Sequence, residues 1–198
     1  MCCDGQNFST YTINNMDKIN LQVIRESFGR VAWTHKTHEK SVEIEEKKIC
    51  RNKWINIALT GITFLSFGAS LIFSDKDWIL YIGATLSAFS LCFTVYLLSF
   101  NPEKVAENHR YVAKELWYIR EKYVNLIADI MGNRISQEET EKQRDQLVKH
   151  LAILYKFAPQ TSEDAYKQAS NGLKKNEELT FSNEEINNFL PNSLHLND

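Results

Sequence analysis

Two long stretches of this sequence lack charged residues altogether. Residues 54–73 and residues 78–100 contain no Asp, Glu, Lys, Arg or His. At about 1.5 Å of rise per residue, helices of this length reach about 30 Å, the thickness of the hydrocarbon core of a bilayer. The alternative, two core helices of a soluble protein, fits less well because such helices are usually shorter and carry a charge at an edge. We therefore predict a transmembrane hairpin, with the charged segment FSDKDW as its turn.

The rest of the chain is polar and holds every charge. Charged residues make up 24% of the sequence, and a mean hydropathy of −0.36 would by itself describe a soluble protein. We therefore expect a large aqueous portion beside the hairpin. The net charge of −2 gives no reason to expect direct nucleic-acid binding, although binding by a local basic patch is not excluded.

Basic residues are concentrated just before the first span. Residues 47–53 contain four of them and no acid, whereas the residues after the second span mix both signs. The positive-inside rule then predicts a multi-pass protein with both termini in the cytoplasm and the turn outside. No apolar segment of the signal-peptide kind lies near the start, so we expect no cleaved leader. A cytoplasmic location disfavours disulfides, and the four cysteines do not have metal-site spacing.

Helical periodicity covers most of the aqueous portion, and no segment shows the alternation of a strand. After a flexible arm, residues 1–17, we predict a cytoplasmic helix over residues 18–53 that runs into the first span, since no proline or glycine cluster intervenes. The hairpin, residues 54–100, precedes a cytoplasmic helical hairpin, residues 101–158, and then short helices and a tail, residues 159–198. We predict an all-α fold, and the remaining amphipathic stripes predict a helical-bundle homo-oligomer.

Polar residues interrupt the apolar stripe of the first cytoplasmic helix. His35, His38 and Glu45 take inner positions of a coiled-coil spacing, and we interpret them as a polar interface layer that tunes register or oligomer state. Two histidines so spaced could instead hold a metal, but no third ligand is evident nearby. The sequence contains no glycine-rich phosphate loop, nucleophile elbow or acidic metal cluster. We therefore expect no enzyme activity, no catalytic residue, no cofactor and no metal.

Small and hydroxylated residues form a stripe along each span. Such stripes allow close helix packing, but a hydroxyl stripe repeated in several copies could also line a water-filled pore. We assign the stripe of the first span to the pore because Asn56 is the most polar side chain in either span. The candidate pore-lining residues are Asn56, Thr60, Thr63, Ser66 and Ser70, and the candidate helix-packing residues are Gly83, Ser87, Ser90 and Thr94.

Several segments taken together resemble the SLATT family of bacterial two-transmembrane effectors. They are WTHKTHEK before the first span, ENHRYVAKELWYIREKYVNLIADI after the second, and RDQLVKHLAILYKFAPQTSEDAYKQASNGLKKNEELTFSNEEINNFLP near the C-terminus. The resemblance covers residues 24–191 and is greatest to the fifth subfamily, which is associated with reverse-transcriptase neighbours. One departure is Gly172, where alanine is expected.

The resemblance implies an effector that oligomerises in the bacterial inner membrane and forms or opens a pore. Depolarisation and growth arrest of an infected cell, that is, abortive infection, would follow. The implied trigger is a partner such as a reverse transcriptase or a nucleotide-signal synthase encoded nearby, or its nucleotide product. The alternative is a membrane-anchored helical adaptor that scaffolds such an enzyme, in which case unrelated spans would preserve function.

Overall fold

The computed structural model describes residues 15–73 and 75–189. Within them the chain forms six α-helices and no strand, which confirms the all-α fold class. Most of the predicted arm, residues 1–17, and the end of the predicted tail, residues 190–198, lie outside the described residues. The helices are α1 (Asn15–Ile72), α2 (Asp77–Phe100), α3 (Pro102–Met131), α4 (Gln137–Phe157), α5 (Glu163–Lys174) and α6 (Asn183–Phe189).

The first helix passes from the aqueous portion into the first span without a break. It contains 58 residues, which corresponds to about 90 Å of length. Hydroxyl groups within the span donate to its own backbone: Thr63 to the Leu59 carbonyl at 2.8 Å and Ser66 to the Ile62 carbonyl at 2.9 Å. These bonds satisfy polar groups where no water would reach them. The predicted continuity across residues 53 and 54 is confirmed.

Local sequence signals explain where several helices end and begin. The backbone of Asn101 is left-handed, with φ of 35°, and it separates α2 from α3, which begins at Pro102. Asn133, with φ of 51°, follows the end of α3. Before α6, the Ser182 N–H donates to the Glu185 carboxylate at 2.8 Å, and the Glu185 N–H donates to the Ser182 hydroxyl at 3.2 Å. This reciprocal pair of hydrogen bonds is a capping box.

The first of two compact units comprises the described part of residues 1–34 together with residues 115–157. It contains the start of α1, the second half of α3, and α4. Arg144 of α4 donates from Nη1 to Oδ1 of Asn20 in α1 at 3.2 Å. The buried apolar residues of this unit recur at steps of three, four or seven positions, as one face of an amphipathic helix requires. They are Ile24 and Val31 of α1, Leu116, Ile119, Tyr123 and Leu126 of α3, and Leu147 and Leu154 of α4.

The second unit comprises residues 35–114 and the described part of residues 158–198. It contains the rest of α1, the whole of α2, the first half of α3, and the two short helices. Ser162 caps α5 by accepting a hydrogen bond from the Ala165 N–H at 3.2 Å. Its buried apolar side chains are mostly small, which allows close approach of backbones; they are Ala106, Val112 and Ala113 of α3 and Ala165 and Ala169 of α5. This unit carries every site residue predicted from the sequence.

Candidate functional site

Most of the surface of the two spans is apolar and exposed. Phe64 and Leu71 of α1 are 76% and 84% exposed, and Leu98 of α2 is 75% exposed. The most apolar windows of the two helices are only 0% and 6% buried, although both helices are long enough to cross a membrane. A core helix of a soluble protein would instead be mostly covered. The exposure therefore fits two helices whose surroundings are lipid.

The two spans contact each other at Gly83 of α2, which is buried. A Cβ atom at this position would lie 3.3 Å from the Cβ of Ser66 and 3.8 Å from the ring of Phe67. The missing side chain thus allows α1 and α2 to pack closely, in the manner of small residues at membrane helix contacts. The hydroxyl group of Ser66 donates to its own helix, so the contact at Gly83 is one of packing.

The structure puts most residues of both predicted stripes on partly covered helix faces. In α1, Asn56, Thr63, Ser66 and Ser70 are partly covered, whereas Thr60 is exposed. Thr60 lies about 120° around the helix from Ser66, which contacts α2. In α2, Gly83 is buried and Ser90 and Thr94 are partly covered, whereas Ser87 is exposed. In the single chain the α1 stripe therefore shares the face that packs on α2, and its pore-lining role stays a prediction.

The predicted polar layer lies inside the second unit. Residues 35–38 are all buried, so α1 is covered on every side at this level. Nδ1 of His38 lies 2.9 Å from Nδ1 of His109 in α3, close enough for one neutral imidazole to donate to the other. Nε2 of His35 lies 3.6 Å from the Glu39 carboxylate. His35 and His38 thus lie in a contact within one chain, and their effect on oligomer state stays a prediction.

Glu45, the third predicted member of the layer, is mostly buried, with 16% of its side chain exposed, and it pairs with Lys48 at 2.6 Å. His109 is the member that sequence reasoning missed. Nothing in the local sequence around His109 indicates its partner, since His38 lies 71 positions earlier in the chain. His38 and His109 supply two nitrogen atoms, and no group of three metal-ligating side chains occurs among residues 15–73 and 75–189.

Burial keeps the histidine pair neutral. Desolvation, followed by the neighbouring His109 and His35, lowers the pKa of His38 from 6.5 to about 4. Burial also lowers the pKa of His109, with Glu45 opposing and Lys48 adding to the effect. A depressed histidine pKa means that the unfolded chain binds the proton first as the pH falls. The stability that the pair confers is therefore full above about pH 6.5 and is lost toward pH 4.

Acidification should consequently destabilise the wild-type chain more than the variant His38→Gln. Each bound proton changes stability by about 1.4 kcal/mol per pH unit, so the loss between about pH 6.5 and pH 4 approaches 3 kcal/mol. The measurement is the thermal midpoint in detergent at several pH values. The control is His150→Gln, because His150 lies outside this layer and is 39% exposed. If the thermal midpoint of wild type were as insensitive to pH as that of His38→Gln, the pH dependence could not be assigned to His38.

A second charged cluster joins α1 to the segment after α5. The Glu178 carboxylate lies 2.7 Å from Nζ of Lys36 and 3.6 Å from Nζ of Lys40, and the Lys36 side chain is only 11% exposed. Glu39 also pairs with Lys36, at 2.9 Å. Burial lowers the pKa of Lys36, but the hydrogen bonds to Glu178 and Glu39 outweigh it, so that the pKa is raised overall. The hydrogen bond from Lys36 in turn lowers the pKa of Glu178.

The absence of a side chain at Gly172 leaves room for the Glu178 carboxylate. A Cβ atom at Gly172 would lie 2.9 Å from the carboxylate carbon of Glu178, closer than such contacts allow. The backbone of Glu177, with φ of 52°, turns the chain back toward α1 just before it. Sequence reasoning missed Lys36 and Glu178, and the only signal was the glycine where alanine was expected. We call Lys36, Lys40, Gly172 and Glu178 the latch.

These features define an all-α membrane protein with two spans and a helical aqueous portion. The chain belongs to the SMODS and SLOG-associating 2TM effector domain family 4, whose profile matches residues 21–185. This confirms the resemblance at the level of the SLATT family, and the matching profile carries the number 4 where the resemblance indicated the fifth subfamily. No curated protein and no solved structure matches the chain. The protein is therefore a two-transmembrane membrane effector.

Proposed function

We propose that this chain is the pore-forming effector of a bacterial anti-phage defence system. Copies assemble in the inner membrane and, once triggered, depolarise the cell and arrest its growth. The family of two-transmembrane effectors and the exposed hairpin support this proposal. The basic residues before the first span support cytoplasmic termini. A fluorescent protein fused to the C-terminus should then fluoresce in the cytoplasm, and a dark fusion would contradict this orientation. The proposed activity requires no catalysis.

The observation that carries the proposal is that α1 and α2 contact each other along one face and are apolar and exposed elsewhere. Two helices cannot enclose a water-filled path, so a pore requires several copies. Helices associate in lipid through packing and hydrogen bonds rather than through the hydrophobic effect. The two stripes already described supply candidate hydroxyl groups that could line such a pore. Assembly is thus a requirement of the proposed activity.

Thr60 is the candidate lining residue that is exposed in the single chain. We propose that it faces the lumen first, and that Thr63 joins it when the hairpin loosens on activation. The double variant Thr60→Leu and Thr63→Leu should therefore abolish depolarisation while leaving assembly intact. Thr85→Leu is the matched control, because Thr85 is an exposed threonine of α2 whose hydroxyl also bonds to its own helix. Conductance of the double variant equal to wild type would reject α1 as the lining.

The first experiment is a voltage-sensitive dye measurement in bacteria that express this chain alone. We expect strong expression to depolarise the cells, because a high concentration of the chain favours the assembly of its copies by mass action. The rival function is the membrane-anchored adaptor, which predicts a held potential and full activity after both spans are replaced by unrelated ones. If cells still resisted phage after both spans were replaced, the proposed pore activity would be contradicted.

The latch supports a proposal about restraint. Glu178 ties the segment between α5 and α6 to a buried lysine of α1, the helix that enters the membrane. We propose that this attachment holds the effector closed until a trigger releases it. The family description names SMODS and SLOG association, so a nucleotide-signalling partner is the trigger we favour. A reverse transcriptase, as the fifth-subfamily resemblance implied, is the alternative partner.

A further inference from the structure

A cavity lies at the end of the transmembrane hairpin that is opposite its turn. It has a volume of about 330 Å³ and is bounded by α1, the last turns of α2 and the start of α3, a size within the range of pockets that hold small molecules. All of its lining residues belong to the second unit, so the cavity is complete within it. Neither the latch nor the candidate pore-lining stripe contributes a residue to it.

The charged groups of the cavity and its leucines lie at different depths along the hairpin. Leu97 and Leu98 belong to the charge-free run of the second span, near its end. Asn52 and Lys53 come just before the first span, and Glu103 comes just after the second. The boundary between hydrocarbon and headgroups therefore falls within the cavity, because a bilayer core ends where the charge-free runs end. The leucines are at the level of acyl chains, and the charged groups are at the level of headgroups.

The two charges in the cavity have opposite sign and come from different helices. Nζ of Lys53 in α1 lies 3.1 Å from the Glu103 carboxylate of α3, and the two side chains are 66% and 64% exposed. An exposed pair of this kind adds little to stability, so it can open at small cost and leave one cation and one anion for a ligand. A ligand with only negative charge would be repelled by Glu103, and a ligand with only positive charge would be repelled by Lys53.

We propose that this cavity binds one zwitterionic aminophospholipid, such as phosphatidylethanolamine. The phosphate accepts from Lys53 and from the Asn52 amide, the ammonium group donates to Glu103, and the acyl chains pass over Leu97 and Leu98. Phosphatidylcholine fits less well, because its quaternary ammonium group has no N–H to donate to a carboxylate. Phosphatidylglycerol lacks a cation for Glu103. The proposal rests on the membrane location of the two spans and does not depend on the proposed pore.

The test counts the lipids bound to the purified full-length chain by native mass spectrometry. The chain in detergent is titrated separately with phosphatidylethanolamine, phosphatidylcholine and phosphatidylglycerol. The three lipids carry the same acyl chains, so that any difference in binding comes from the headgroup. We expect one phosphatidylethanolamine per chain to bind about tenfold more tightly than either of the other lipids, because neither of them can form charged hydrogen bonds with both Lys53 and Glu103.

Two variants identify the contacts of the headgroup. Lys53→Gln should weaken the binding of phosphatidylethanolamine about tenfold, because the phosphate loses its charged partner. Glu103→Gln should instead change the preference: without the carboxylate, phosphatidylglycerol should bind as tightly as phosphatidylethanolamine. The matched controls are Lys47→Gln and Glu107→Gln, which remove exposed charges from the same two helices outside the cavity. We expect neither control to change the affinity or the preference.

Three outcomes would overturn the proposal. They are phosphatidylethanolamine binding no tighter than that of the other two lipids, an affinity that Lys53→Gln leaves unchanged, and a headgroup preference that Glu103→Gln leaves unchanged. The first outcome would mean that lipids only form a nonspecific layer around the hairpin. Circular dichroism confirms that each variant is folded, so that lost binding is not mistaken for unfolding. Because no membrane potential is measured, failure of this lipid site leaves the proposed pore untouched, and failure of the pore leaves the lipid site untouched.

Discussion

Replacing Gly83 with leucine should force the two transmembrane helices apart. A single methyl group at this position would already lie 3.3 Å from the Cβ of Ser66, which sits on a helix backbone and cannot rotate away. Leucine adds three further carbon atoms at the same point. Overpacking of this kind costs about 1–3 kcal/mol. We expect a lower thermal midpoint in detergent and faster proteolysis at the turn, since the spans would no longer hold each other.

The same change at Gly61 is the matched control. Gly61 lies in the first span, and a Cβ atom there would meet nothing within 4 Å, so leucine can be accommodated within the single chain. We therefore expect the thermal midpoint of Gly61→Leu to stay close to that of wild type. Equal destabilisation by the two variants would mean that the contact at Gly83 does not hold the hairpin together.

Release of the latch should activate the effector without its trigger. In Glu178→Gln the carboxylate is lost, and Lys36 keeps only Glu39 as a partner. In Gly172→Ala the new methyl group would occupy the place of the same carboxylate and push it away. Each variant should raise the fraction of depolarised cells about tenfold at an expression level where wild type holds its potential. The readout is a voltage-sensitive dye together with growth.

Non-additivity makes this prediction specific to the latch. Because Gly172→Ala and Glu178→Gln break the same contact, the double variant should depolarise cells no more than either single variant. Glu184→Gln is the control, since it removes the same charge from the first turn of α6, outside the latch. Variants that stay silent, or that act additively, would show that the contact restrains nothing.

Much of the fold was predictable because its signals are local. The charge-free runs predicted the two long apolar helices, and helical periodicity with no strand-like alternation predicted the all-α aqueous portion. Each signal is read within a few residues of the structure that it determines. The described elements therefore agree with the prediction in type.

Contacts between distant parts of the chain were not predictable in this way. The pairing of His38 with His109 and that of Lys36 with Glu178 depend on which helices meet, and a single sequence does not encode that in any local pattern. The surroundings of the α1 stripe were likewise not predictable. Periodicity indicates that Asn56, Thr63 and Ser66 share a face, but it does not say whether water or another helix covers it.

Because α1 is one unbroken helix, its aqueous part and its membrane-spanning part are directly connected. A hinge would let the aqueous end turn while the membrane end stayed still, but this helix has no break along its 58 residues. A rotation of α1 beside Lys36 would therefore be passed along the helix toward its membrane-spanning part, because no break intervenes. We expect an event that turns α1 in the aqueous portion to turn its membrane-spanning part as well.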